Sequence, residues 1–166
     1  MSRFLVIAAA LLFYIASASA QSTIFLVRHG EKAAVAEGNK DPDLSDVGRA
    51  RADSLAAILR DAQITAVFAT EYKRTQQTAQ PTADKANVPI TVVPANDAAG
   101  LVAKMKETRG NTLVVGHSNT LADILKALGT RISFAIEDSE YDNLFVVRTS
   151  PEPQLLRLHY DRAVRP

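Results

Sequence analysis

Three short segments of this 166-residue chain gather side chains that could handle an anion. Arg28-His29-Gly30-Glu31 comes first, Ala69-Thr70-Glu71-Tyr72-Lys73-Arg74-Thr75-Gln76-Gln77-Thr78-Ala79 second, and Leu113-Val114-Val115-Gly116-His117-Ser118-Asn119-Thr120 third. A neutral imidazole such as His29 is a competent nucleophile near neutral pH, because its ordinary pKa of about 6.5 leaves a lone pair free. Arg28 and Arg74 carry planar forks of donors that match phosphate oxygens and never lose their charge. Gly30 lets the backbone turn sharply and come close to a bound anion. Each segment also has a bland account: a surface turn for Arg28 to Gly30, solvated helix charges for Lys73 and Arg74, and a hydrogen-bonded loop histidine for His117. We accept that account for Lys73, and for His159, which alternates with Leu158 and Tyr160 and has no glycine or arginine beside it.

The elements that must position these groups read as strands and helices in alternation. Strands are expected at Thr23 to Val27, Ile64 to Ala69, Ile90 to Val93, Thr112 to Gly116 and Leu144 to Arg148, with Gln154 to Tyr160 as an edge strand. The inner runs are β-branched and continuously apolar, as in a mainly parallel sheet covered on both faces. A first helix places Val47, Leu55, Ile58, Leu59 and Ala62 on one face, with Ser45 as its N-cap. A second, Tyr72 to Ala86, carries Pro81, which should kink or break it. A third runs from Ala98 to Thr108 and a fourth from Asn119 to Leu128, stopped by Gly129, with Ser118 or Asn119 capping it and aiming its amides at a phosphate. The expected fold class is α/β: a three-layer sandwich, mainly parallel sheet with helices on both faces. Ligands of such sheets sit beyond the carboxyl ends of the strands, which is where all three segments fall.

Composition narrows the rest. Residues 1–20 read as a signal peptide: Arg3 in front, an apolar run from Phe4 to Ala16, and Ala18-Ser19-Ala20 before a cleavage point at Gln21. The run is shorter than the roughly 20 apolar residues a bilayer span needs, so a retained anchor is the lesser alternative. Residues 21–166 then form one domain, exported to the periplasm or secreted. Of 19 Lys and Arg, Arg3 lies in the leader, leaving 18 against 18 Asp and Glu. That balance gives no footing for nucleic acid or a stable membrane surface as partner, so anion binding must be local. Cysteine is absent, which excludes disulfides and thiolate metal sites. Ser150-Pro151-Glu152-Pro153 reads as a turn between two strands.

Taken together, these segments resemble the histidine phosphatase superfamily, in its phosphoglycerate mutase-like branch. Arg28, His29 and Gly30 match its opening motif; Arg74, Thr75, Gln77, Thr78 and Ala79 look like its arginine-threonine-x-glutamine-threonine-alanine segment. Gly116-His117 looks like its second-histidine motif, and Leu44-Ser45-x-x-Gly48 resembles the start of its first helix. By length the chain is similar to small members such as the phosphohistidine phosphatases. The resemblance implies a phosphoglycerate mutase-like fold and two-step transfer through a phosphohistidine on His29. It also implies no metal or other cofactor, and a phosphate held by Arg28, Gly30, Arg74, His117 and Ser118. Larger members place a carboxylate acid after the third strand; here Asp97 occupies that place, with Glu31 as second choice. Ser118 stands where the other branch has aspartate, so a phytase-like assignment loses support. With no inserted lobe, the pocket should be shallow and open to a phosphorylated small molecule, glycan or protein. Two other classes compete: a phosphate-ligand binding module of the same fold that has lost turnover, and a metal hydrolase built on His29, Glu31, His117 and Asp97. The two arginines would repel that metal.

Overall fold

The computed structural model describes residues 22–34, 38–131, 135–149 and 152–161. The expected leader, its expected cleavage point and Ser150-Pro151 of the expected turn lie outside the described residues. Six strands and four helices follow one another as β1 (Thr23–Arg28), α1 (Asp46–Ile58), β2 (Ile64–Thr70), α2 (Lys73–Ala86), β3 (Ile90–Val93), α3 (Ala98–Glu107), β4 (Asn111–Gly116), α4 (Ser118–Ala127), β5 (Asn143–Arg148) and β6 (Gln154–His159). They form one sheet in the order β3-β2-β4-β1-β5-β6. β3, β2, β4 and β1 are mutually parallel, whereas β5 runs antiparallel to β1 and β6 to β5.

Alternation along the strands makes two cores. Ile24 and Leu26 of β1, Phe68 of β2, Val114 of β4 and Phe145 of β5 meet Leu101 and Met105 of α3 and Leu121, Ile124 and Leu125 of α4. Val27, Val67, Leu113, Val115 and Leu144 point the other way, against Leu55 and Leu59 near the end of α1 and Ala79 and Ala83 of α2. The right-handed crossover rule accounts for this division. From β1 to β2 and on to β3 the chain moves toward one edge, and from β3 to β4 it returns, so the connecting helices change face. The strands at which the connections part, β1 and β4, are neighbours, with Arg28 beside Gly116 in register. That is a topological switch point, where a crevice opens at the carboxyl ends of the strands.

Two local expectations need correction. Pro81 neither breaks nor divides α2, which is continuous from Lys73 to Ala86. Thr78, Ala79, Thr82 and Ala83 are buried on both sides of Pro81, so packing carries the helix across the missing amide. Ile58 is not on the buried face of α1 but 50% exposed. It lies a full residue step, about 100°, around the helix from Leu59, beyond the stripe that Ala52, Leu55 and Ala56 bury. Ser45 does cap α1, its Oγ accepting the Gly48 amide at 3.1 Å.

Candidate active site at the switch point

His29 follows β1 directly, and its amide donates to the Gly116 carbonyl at 2.9 Å, which ties the end of β1 to the end of β4. Gly30 then passes against the first turn of α1. A Cβ on Gly30 would lie 2.8 Å from the Gly48 carbonyl oxygen, and one on Gly48 would collide with the Glu31 backbone. Gly30 and Gly48 are thus required by backbone packed on backbone. Gly30 is not among the residues with left-handed φ and does not border the cleft, so the turn-and-anion role expected for it is replaced by this packing role.

The uncharged residues of the second motif are ties of the same kind. Thr78 Oγ1 accepts the Gly30 amide at 2.9 Å and donates to the Arg74 carbonyl at 2.7 Å. Gln77 accepts from the Leu44 amide at 2.8 Å, and Ala79 is wholly buried. α2 therefore delivers Arg74, in its first turn, to the loop that carries His29. Asp41 bonds the Lys73 amide at 3.1 Å and lies 3.5 Å from Arg74 Nη1, which steadies that turn.

Arg28, His29, Arg74 and His117 border one cleft of about 500 Å³, together with Lys32, Tyr72, Asn96, Ser118, Asn119, Asp123 and Asp138. The rings of His29 and His117 meet edge to face, 5.2 Å between centroids. Each arginine is stacked on a tyrosine: Arg28 at 4.2 Å from the Tyr141 ring centre, Arg74 at 4.3 Å from that of Tyr72. Arg28 Nη1 donates to the carbonyls of Glu137, Asp138 and Glu140 at 3.1, 2.8 and 3.3 Å. Nε of Arg28 and Nε of Arg74 are buried and have no partner among the described residues. Buried donors left unmet are rare in structural arginines, and here both belong to the cleft wall.

The histidines are set up as neutral rings. His29 is 3% exposed and its Nδ1 lies 2.7 Å from the Gly30 carbonyl, which can only accept, so Nδ1 carries the proton and Nε2 the lone pair. Burial drives its pKa down to about 3, opposed by the Gly30 bond and reinforced by His117, Arg28 and Arg74. Burial and then the Arg74 charge lower His117 to about 4. Either ring meets an incoming anion uncharged.

The candidate acids fall elsewhere. Asp97 caps α3, its Oδ1 accepting the Gly100 amide at 2.8 Å, and does not border the cleft. Its position just before a helix makes it a cap, which outweighs its place after β3. Glu31 is clamped by Arg51, with Nη2 at 2.7 Å from Oε1, and is likewise absent from the cleft wall. The carboxylates that do border it are Asp123 and Asp138, both passed over in the sequence. His117 itself is the N-cap residue of α4, its amide donating to Thr120 Oγ1 at 2.9 Å, in place of the expected Ser118 or Asn119. Ser118 instead donates to Asp138 Oδ1 at 2.9 Å. Among the described residues no three His, Cys, Asp or Glu side chains gather as a metal site.

Tyr141, Glu137 and Asp138 had no local signal in the sequence. What brings them here is the reversed direction of β5: because β5 is antiparallel to β1, the loop before it, not after it, stands at the catalytic end.

The fold and cleft define an α/β protein with a two-histidine, two-arginine anion cup at its switch point. Residues 24–96 match the model of the histidine phosphatase superfamily, branch 1. No curated protein matches it. Solved structures share its fold at low identity. A protein of Escherichia coli K-12 assigned as an α-ribazole-5′-P phosphatase is 16% identical with TM-score 0.68, over 87% of this chain and 100% of that one. The protein histidine phosphatase SixA, complexed with tungstate, is 20% identical with TM-score 0.64, over 82% and 96%. A mycobacterial glucosyl-3-phosphoglycerate phosphatase, complexed with VO3, is 14% identical with TM-score 0.61, over 85% and 99%.

Proposed function

We propose that this chain is an exported phosphatase that takes the phosphoryl group of a monoester or phosphoprotein onto Nε2 of His29, without a metal. One observation carries the reading: His29 Nδ1 is held 2.7 Å from the Gly30 carbonyl inside a cleft that also holds Arg28, Arg74 and His117. The Nε2 lone pair attacks phosphorus and the bond from phosphorus to the leaving oxygen breaks; that oxygen takes a proton from solvent water, and the water that later attacks phosphorus returns one. As positive charge grows on the ring, the Gly30 carbonyl stabilises the Nδ1–H. Arg28, Arg74 and His117 hold the equatorial oxygens, so catalysis is positioning and charge stabilisation. Water then attacks phosphorus, the bond from phosphorus to Nε2 breaks, and inorganic phosphate leaves with the ring restored. Two guanidinium groups in the cleft disfavour a cation there, which supports the metal-independent form.

The tungstate and VO3 complexes of the similar folds support a phosphorylated substrate. So does the cleft wall beyond the cup, where Asn96, Ser118 and Asn119 offer hydrogen bonds to a polar substrate. Neither Asp97 nor Glu31, the carboxylates expected as the acid, borders the cleft. Substrates with good leaving groups, phosphohistidine among them, therefore suit this cleft better than alkyl monoesters.

The test is turnover of an aryl phosphate by the mature chain in the presence of a chelator. His29→Ala should abolish both turnover and the acid-quenched phosphoenzyme. An inert wild type would leave the binding module standing, and an active His29→Ala protein would remove the nucleophile. Export is tested separately, by sequencing the secreted protein: an N-terminus at Gln21 is expected.

A further inference from the structure

Behind His117 lies a pair of buried threonine hydroxyls that the reaction above does not use. Thr70 ends β2 and is 5% exposed; Thr75, in the first turn of α2, is 0% exposed. Thr75 Oγ1 lies 2.7 Å from the Tyr72 carbonyl and 3.1 Å from the Thr70 carbonyl. It also lies 2.9 Å from Thr70 Oγ1, which in turn lies 3.0 Å from His117 Nε2.

The protons of this chain can be counted. A carbonyl oxygen has no hydrogen, so the single Thr75 hydroxyl proton must point at the carbonyls. The proton between the two hydroxyls is then that of Thr70. Thr70 Oγ1, having donated, can only accept from the ring, so the hydrogen between it and His117 belongs to Nε2. The reverse order would leave two oxygens 2.7 Å apart with no hydrogen between them, a repulsive contact inside a dry site.

We propose that Thr75 and Thr70 are positioning residues that fix the proton of neutral His117 on Nε2. Thr70 Oγ1 holds that hydrogen while the cleft is empty, and an anionic oxygen that reaches the same nitrogen, a stronger acceptor than a hydroxyl, shares it in a three-centre bond. With the proton on Nδ1, the same edge would present a lone pair and repel the anion. Threonine at position 75 is thereby given a use that its helix-start position alone does not require, since Ser, Asp or Asn would begin a helix as well. The kinetic consequence rests on the proposed phosphatase reading; the proton placement does not.

The experiment is long-range 1H–15N correlation on the mature protein with 15N-labelled histidine, near pH 7, beside steady-state kinetics with an aryl phosphate. Wild type should show a protonated-type Nε2 and a bare-type Nδ1 for His117. Thr75→Val frees the Thr70 hydroxyl to donate to the ring, so the Nδ1–H form should appear and kcat/KM should fall about tenfold, less than the loss of a whole oxyanion donor. Thr75→Ser should restore both readouts. A wild-type ring protonated on Nδ1, or a Thr75→Val ring unchanged from wild type, overturns the proposal even in a fully active enzyme. Tautomer shifts as expected in a protein without turnover would uphold the threonine pair and sink the phosphatase reading instead. Should Thr75→Val not fold, Thr70→Val serves in its place, with the same loss of a single Nε2–H form expected and an unchanged ring again overturning the proposal.

Discussion

Arg28 and Arg51 are buried to nearly the same degree, 5% and 7% exposed, and both sit next to the His29 loop. Their hydrogen bonding divides them. Arg51 gives Nε and Nη2 to the Glu31 carboxylate, at 3.0 and 2.7 Å, and Nη1 to the Tyr160 carbonyl at 3.3 Å. Arg28 gives Nη1 to three loop carbonyls while its Nε has no partner, and Arg74 is left in the same condition. One guanidinium is a finished strut; the other two are held by stacking and by their terminal nitrogens, Arg28 also reaching Asp138 Oδ1 through Nη2 at 3.5 Å, and each keeps a buried Nε without a partner among the described residues. Burial alone does not separate these arginines, whereas an unmet Nε sets the two on the cleft wall apart from Arg51.

The comparison breaks most clearly on activity. Arg28→Ala and Arg74→Ala should each lower kcat/KM about a hundredfold or more, as lost transition-state contacts do. Their stability to denaturant should change little, because the groups removed were incompletely bonded. Arg74→Lys should behave nearly as badly, since it keeps the charge but loses the planar fork and the stacking on Tyr72. Initial rates with denaturation midpoints measured on the same samples decide it.

Arg51→Met should show the opposite profile. It removes the guanidinium fork from a Glu31 carboxylate whose side chain is 22% exposed, and should cost about 3 kcal/mol in urea denaturation, the lower end for breaking a buried pair. Adding Glu31→Gln should recover part of that loss. Turnover per folded molecule should fall less than tenfold, because the Glu31 backbone, which bonds Ser45, remains. Catalysis lost in Arg51→Met at unchanged stability would mean that the strut and the cup are one unit.

Most of the layer architecture was legible because β-branched runs and amphipathic stretches alternate along the chain, and a glycine, a histidine or an arginine stood at each strand end that mattered. The strands came out within a residue or two of their expected bounds. What sequence could not show was orientation of the last strands. Nothing in Leu144 to Arg148 says that β5 runs against β1, and with that direction unknown the loop carrying Tyr141 and Asp138 had no reason to be placed at the cleft. Asp97 failed for a related reason. A carboxylate before a helix has two competing uses, and satisfying the Gly100 amide is local and immediate, while reaching a substrate needs a longer reach from the α3 end. The threonines and Gln77 of the second motif read as family likeness, and only coordinates show them as ties between Gly30, Leu44 and His117.

Acid sharpens the same contrast among the histidines. His29 and His117 are held neutral down to about pH 3 and 4 in the fold, against an ordinary value near 6.5 when unfolded. Between those limits the unfolded chain binds more protons than the native one, so stability rises with pH through the window and is lost as pH falls from about 6.5. Each ring should contribute a slope of roughly 1 kcal/mol per pH unit there. His29→Gln should remove one such share from the pH dependence of urea unfolding between pH 6 and 4, and saturating inorganic phosphate should flatten the slope further, since a bound anion favours the charged rings. His159 stands outside the cleft altogether. It is exposed, pairs with Asp142 at 3.0 Å across open surface, and touches neither core nor cleft. His159→Asn should leave turnover unchanged and stability within about 0.5 kcal/mol. A larger effect would show that the β6 edge is coupled to the loop before β5, where Asp142 sits next to Tyr141 and hence next to Arg28, and the division between working and structural side chains would have to be redrawn along that path.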